Sequence, residues 1–245
     1  PQNNRNLFGR VMMVKRKILV PIAFNNWALT DVNENRLTKE WIDHRMEIFM
    51  KYTCKSLKAQ TNQDFTTILQ YDQRSEEHVM NALKQHDPLP ENIRFVPKNA
   101  YNKTLEREIQ DYDEVYFARI DSDDMYHKGY FEFLKNHQPA ENTEALINQF
   151  GYFYDEYSDK VATAKIQSPP FYTLIYNVAE YLEGKRHPVK GHLSVHNLNH
   201  ELLEPRNYVQ VIHSNNMSTS FENRYIDGLI EDENEKNRIL SNFWG

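Results

Sequence analysis

VYFARIDSDDMYH, residues 115–127, is the stretch on which the reading of this chain turns. An apolar, aromatic run, EVYFARI (114–120), reads as a strand and leads straight into three carboxylates, Asp121, Asp123 and Asp124, within four positions. Like charges about 5 Å apart repel by roughly 1 kcal/mol in water and several-fold more where solvent is excluded. Such a cluster persists when its members are solvated, when they cap a helix, or when a cation neutralises them.

Upstream of the cluster the pattern alternates between strand and helix. KILVPIAF (17–24) is a short apolar run that predicts a buried strand, with Asn25 and Asn26 at its carboxyl end. Trp41, Ile42, Met46, Phe49, Met50, Cys54 and Leu57 recur at helical spacing over 39–59, with Thr38 as the N-cap. DFTTILQYD (64–72) alternates in the β manner and ends on Asp72, and a helix follows from Ser75 to about His86. IRFVP (93–97) is a third strand, LEREIQ (105–110) a short helix, and a further helix is predicted over 128–137. This order predicts an α/β unit with a mostly parallel sheet. Ligands bind outside the carboxyl ends of the strands in such sheets. Asn25, Asp72 and the Asp121 cluster all fall on that edge.

Beyond residue 140 the pattern loosens. EALINQFGYFY (144–154), KIQSPPFYTLIYN (165–177), GHLSVHNL (191–198) and YVQVIH (208–213) are β candidates, and 221–243 reads as an amphipathic helix. With 245 residues and no internal repeat or clear linker, a single domain with an α/β front (about 17–137) and a β-rich back (about 138–245) is the economical division.

The composition is globular, at 40% hydrophobic and 26% charged, and the net charge of -6 argues against nucleic acid as a partner. A single cysteine, Cys54, excludes an internal disulfide and reads as a packing residue. No apolar run reaches the roughly 18 residues of a membrane span. These features predict a cytoplasmic protein without an integral membrane segment. The chain opens Pro-Gln-Asn-Asn without Met, which fits an excised segment.

The readings of the cluster can be weighed on chemistry. An N-cap needs one carboxylate, and three are present. An EF-hand loop matches at Asp121, Asp123 and Glu132, but Met125 and Tyr126 stand where a ligand oxygen and a glycine belong. A haloacid-dehalogenase-type phosphatase shares Asp-x-Asp after a strand, but has Thr or Val where this chain has Met125. The remaining reading is a divalent cation, Mn²⁺ or Mg²⁺, that ties Asp121 and Asp123 to a diphosphate, with water completing an octahedron.

At this point a resemblance becomes specific. VPIAFN (20–25), WIDHRMEIFMKYTCKSLKAQTNQDFTTILQYD (41–72), ARIDSDDMY (118–126) and YVQVIHSNNMS (208–218) together resemble the GT-A-fold nucleotide-sugar glycosyltransferases, in particular the bacterial putative rhamnosyltransferase family. The group often carries Thr-Arg-Phe-Asn where this chain has Ile22-Ala23-Phe24-Asn25. The resemblance implies a GT-A, Rossmann-like, mostly parallel central sheet flanked by helices, with a smaller β-rich acceptor side. It also implies a UDP-, dTDP- or GDP-linked sugar donor, a glycan acceptor and a metal. Asp123 matches the direct metal ligand, Asp121 a ribose or metal contact, His213 a late metal ligand, and Asp72 a contact to the base. Asn25 and Arg119 are expected on the donor; Arg45 is expected to be structural.

Sugar transfer builds oxocarbenium character on the sugar and negative charge on the departing diphosphate. An inverting reaction also needs a base for the acceptor hydroxyl. His192 is the preferred candidate, with His196, Asp155, Glu156 and Asp227 as others. The competing class is a non-catalytic module that binds a nucleotide or glycan within a larger assembly protein.

Overall fold

The computed structural model describes residues 14–25, 34–213 and 226–245. Asn26 and the part of IHSNNMS beyond His213 lie outside them. β1 (Arg16–Ala23) is the strand expected from KILVPIAF. Its apolar run is continuous because both faces are covered. Ile18, Val20, Ile22 and Phe24 face one core, and Leu19 faces another. β1 pairs in parallel with β2 (Phe65–Tyr71) and β4 (Glu114–Ala118), and β2 with β3 (Ile93–Pro97).

The helices cover both faces. α1 (Lys39–Lys51) starts at Thr38, whose hydroxyl accepts from the Trp41 amide, and it buries Ile42, Met46 and Phe49. The helical run expected to reach residue 59 breaks at Tyr52 and resumes as α2 (Thr53–Lys58). α3 (Glu76–Leu83) joins α1 on this face. α4 (Lys98–Ile109) covers the other face, and is longer at its start than LEREIQ suggested because Ala100 and Tyr101 pack on that core.

The second half of the chain completes the first sheet and builds another. After β5 (Met125–Tyr126) and α5 (Tyr130–Asn136) come β6 (Ala145–Asn148), β7 (Phe150–Asp155), β8 (Lys160–Lys165) and β9 (Tyr172–Asn177). α6 (Val178–Leu182), β10 (His200–Leu203), β11 (Tyr208–Ile212), β12 (Ile226–Ile230) and α7 (Glu233–Trp244) follow. The strands order as β10-β6-β9-β4-β1-β2-β3 and β12-β8-β7-β11-β5. In the first sheet only β9 runs against its neighbours. A mostly parallel sheet flanked by helices, with a smaller β-rich part, is the architecture expected.

Three expectations are corrected. EALINQFGYFY is not one strand: β6 and β7 belong to different sheets and part at Gln149. GHLSVHNL is a 3-10 helix over His192–Asn197, which buries Val195 while Leu193 stays exposed. The described part of the carboxyl-terminal segment is a strand before it is a helix, because Ile226–Ile230 finds an edge on β8. Among the described residues no helix is long and apolar enough to cross a membrane.

Gly151 of β7 leaves room for the Tyr208 ring of β11. A Cβ there would stand 2.3 Å from the Tyr208 ring, which is itself stacked on Phe171 with centroids 3.9 Å apart. The ring has no slack, so Gly151→Ala is expected to cost about 1–3 kcal/mol by overpacking. An unchanged urea midpoint would contradict this.

Candidate functional site

The parallel strands β1, β2 and β4 all end at one edge, and the singled-out residues begin there. Asn25, just past β1, is fully buried. Its Oδ1 accepts from the Asp72 amide at 2.8 Å, and its Nδ2 donates to Ser75 Oγ at 2.9 Å and to the Arg36 carbonyl at 3.1 Å. This side chain clasps the ends of β1 and β2 together.

Asp72 is equally committed. Its Oδ1 accepts from the Arg74 amide and Nε, both at 3.0 Å, and its Oδ2 from Arg74 Nη2 at 2.8 Å and Arg36 Nη1 at 3.1 Å. These bonds, led by those from Arg74, hold the carboxyl well below the usual carboxylate range. Arg36 lies on a 3-10 turn (Glu34–Leu37) and is buried, and its Nη1 also donates to the Asn25 carbonyl.

The three aspartates after β4 diverge. Asp121 takes Arg119 Nη2 on both oxygens, at 3.0 and 3.2 Å, while Arg119 Nη1 donates to the Pro170 carbonyl. Asp123 Oδ2 accepts from Arg45 Nη1 at 3.1 Å and lies 3.0 Å from His213 Nε2. Arg45 Nε donates to Ser122 Oγ. Asp124 Oδ1 accepts from the Val211 amide at 3.0 Å, which ties the cluster to β11. None of the three caps the following helix, whose N-cap, Gly129, offers no side chain.

Position sets their acidities. Burial would raise Asp123, but the Arg45 charge and the His213 hydrogen bond bring it down to about 2. Asp124 is buried and is pushed well up by desolvation and then by its two neighbours, Asp123 and Asp121.

A cleft of about 260 Å³ opens at this edge. Pro21–Ala23 of β1, Gln70 of β2 and Tyr101 of α4 line it together with Arg119, Ile120 and Asp121. The structure therefore brings Arg119 and Asp121 to a cavity at the carboxyl ends of the strands. Asn25, Asp72, Asp123 and His213 do not line it.

The fit to a divalent cation can be tested on the donor atoms. Asp123 Oδ2 and His213 Nε2 are 3.0 Å apart. Two adjacent ligands of an octahedral ion, each about 2.1 Å from it, are separated by about 3 Å. In this structure the two atoms are hydrogen-bonded to each other and Arg45 donates to the same oxygen, so an ion bound there would take the place of that bond. Among the described residues, no three His, Cys, Asp or Glu side chains form a cage. Further ligands would come from water and substrate, the usual habit of Mg²⁺.

The base candidates scatter. His192 Nδ1 lies 2.6 Å from the carbonyl of Ser168, two residues before Pro170, whose carbonyl accepts from Arg119. Asp155 braces its own turn through the Tyr157 amide and Ser158. His196 lies on the same 3-10 helix as His192, and Asp227 on β12 faces Arg206 at 3.9 Å. Glu156 pairs with Lys51, and its amide donates to the Ile212 carbonyl, one residue before His213.

The sequence reading missed Arg36 and Arg74, and of Arg45 it expected a structural role without naming its partner. Arg74 had a local signal, lying two positions after Asp72. Arg36 and Arg45 had none, since their partners lie 36 and 78 residues away.

A family model described as "Putative rhamnosyl transferase" matches residues 28–220. No match is found among curated proteins. Among solved structures, Staphylococcus aureus TarS 1–349 in complex with UDP-GlcNAc is similar at 13% identity and a TM-score of 0.46, over 82% of this chain and 60% of that one. The 4-diphosphocytidyl-2C-methyl-D-erythritol synthase of Anaerococcus prevotii matches at 12% and 0.37, over 92% and 95%. HddC of Yersinia pseudotuberculosis matches at 10% and 0.35, over 81% and 90%. At such values these likenesses carry nothing about what the chain does.

Proposed function

The chain belongs to the family of putative rhamnosyl transferases, and we propose that it moves a sugar from a nucleotide diphosphate donor to a glycan acceptor. The observation that carries this reading is the cleft at the carboxyl ends of the parallel strands, with Arg119 and Asp121 in its wall. In an open α/β sheet that crevice is where nucleotides bind. Rhamnose is the family's sugar and is proposed here as one candidate among hexoses.

The roles follow from the chemistry of each group. Arg119, already oriented by the Pro170 carbonyl, supplies a fixed positive charge for a diphosphate oxygen. Asp121 would accept from a ribose hydroxyl beside its bonds to Arg119. Asn25 and Asp72 act through shape, since their polar atoms are spent on holding the strand ends. Asp123 and His213 would hold Mn²⁺ or Mg²⁺, which when bound neutralises charge on the leaving diphosphate. The acceptor's proton would pass to His192 or Glu156, of which Glu156 is tied to the residue before His213.

Calorimetric titration of UDP, GDP and dTDP, each with Mn²⁺ and with EDTA, tests the reading on wild type and on Asp121→Asn. One nucleotide is expected to bind tightly only with metal, and about tenfold more weakly to the variant, which is about 1.4 kcal/mol. Absence of binding for all three would remove the donor assignment. Binding without turnover on any acceptor would favour a non-catalytic module.

A further inference from the structure

The turn between β7 and β8, residues 156–159, combines an open ring with a rigid frame. It carries Tyr157, which is 70% exposed and is the one exposed aromatic side chain among the described residues. The frame comes from both ends of the turn. Asp155 Oδ1 accepts from the Tyr157 amide at 3.1 Å, and its Oδ2 from the Ser158 hydroxyl at 2.5 Å. The Tyr154 hydroxyl donates to Asp159 Oδ1 at 3.2 Å. Lys236 of α7, only 4% exposed, donates to the Asp159 carbonyl at 3.0 Å and to its Oδ2 at 2.6 Å. A ring on a braced turn gives up little conformational freedom when a ligand covers it.

The same turn adjoins the Asp123–His213 pair. β7 and β11 run parallel with Asp155 opposite Ile212, and the Glu156 amide donates to the Ile212 carbonyl at 3.0 Å. Glu156 and His213 are thus the next residues on two adjacent strand ends. α1 reaches both places. Its Arg45 donates to Asp123, and its last residue, Lys51, pairs with Glu156.

The Lys51–Glu156 pair is partly open to solvent, with the two side chains 55% and 31% exposed. An ammonium has three protons to donate and a carboxylate about four acceptor positions, so the bond between them leaves capacity on each. Their charges cancel, which suits sugar hydroxyls rather than an anion. An open ring face on the adjoining residue suits the apolar C–H face of a pyranose. Ring and pair together describe one ligand class, a neutral sugar.

We propose that the turn 156–159 is an acceptor platform, on which the terminal neutral pyranose of a glycan lies against Tyr157 and bonds through its hydroxyls to Lys51 and Glu156. The acceptor role rests on the sugar-transfer reading; the sugar site itself does not.

The test is ligand-observed NMR on the full chain with the methyl pyranosides of glucose, galactose, N-acetylglucosamine and rhamnose. At least one is expected to bind. Tyr157→Ala, at an exposed turn position, is expected to weaken that binding by about tenfold, while Tyr157→Phe, which keeps the ring face, binds like wild type. Glu156→Gln is expected to weaken it by about tenfold, as loss of one charge-assisted contact implies. Titration with UDP, GDP and dTDP in Mn²⁺ is expected to give the same result for Tyr157→Ala as for wild type, because Tyr157 does not line the donor cleft. The proposal is overturned if none of the four sugars binds, if Tyr157→Ala or Glu156→Gln binds like wild type, or if Tyr157→Phe is as weak as Tyr157→Ala. Nucleotide binding without sugar binding overturns the platform and leaves the donor reading standing. Tyr157-dependent sugar binding by a chain that takes no nucleotide supports the sugar site and removes the transfer reading instead.

Discussion

Asp123→Asn is expected to lower turnover of a nucleotide-sugar donor by about 10²–10³-fold, the loss seen when one preorganised electrostatic contact to developing charge is removed. The reasoning rests on convergence. Asp123 Oδ2 meets both a cation, Arg45, and an imidazole, His213. The amide keeps the shape and an acceptor oxygen but gives up the charge that a divalent ion requires. The concentration of Mn²⁺ needed for half-maximal rate should therefore rise along with the fall in turnover. Since the change also leaves Arg45 facing a neutral group, rates are to be compared well below the thermal midpoint of the variant. Turnover within about threefold of wild type, with an unchanged metal requirement, would remove Asp123 from the metal site, a factor of three being under 1 kcal/mol.

Arg45→Met is expected to destabilise the fold by about 3–5 kcal/mol, the penalty for removing one partner of a buried ion pair. The Arg45 side chain is 6% exposed and its partner 12%. Without the guanidinium, Asp123 stays beside two further carboxylates, with the His213 imidazole hydrogen-bonded to it. The double variant Arg45→Met/Asp123→Asn should recover part of the loss, because no unpaired charge is then left at that spot. Mn²⁺ should raise the thermal midpoint of Arg45→Met more than that of wild type, since an ion bound only to the folded state stabilises it by mass action. A single variant within about 0.5 kcal/mol of wild type would show that the pair is not integral to the site.

Much of the front half could be read without coordinates. β1 to β4 are buried runs separated by helices of clear period, so local pattern and tertiary environment agree. Thr38 announces α1 by its cap chemistry. The back half hides its divisions for physical reasons. β6 and β7 part at Gln149 with no Gly or Pro there to mark the break, and the division exists because each finds a different sheet. His192–Asn197 turns one apolar side chain inward, Val195, which is too little to separate a strand from a 3-10 helix by pattern. β8, KVATAK, went unread in the sequence because it is short and weakly apolar, and its neighbours β7 and β12 make it a strand.

The site divides in the same manner. Asp121, Asp123 and Asp124 stand out in the sequence because three carboxylates within four positions demand an explanation. Asn25 and Asp72 stand out because they close predicted parallel strands. How those charges are met is a tertiary matter. Arg45 comes from 78 residues before Asp123 and His213 from 90 residues after it. The turn after β7 is braced from α1, β11 and α7, elements whose mutual approach no local pattern announces. By itself the sequence determined the α/β order, the strand-end edge and the acidic cluster, because periodicity and charge density are local properties. The tertiary structure alone decided which cation meets which carboxylate and where the cleft opens, because ion pairing falls off within a few ångströms and only the folded chain brings distant residues that close.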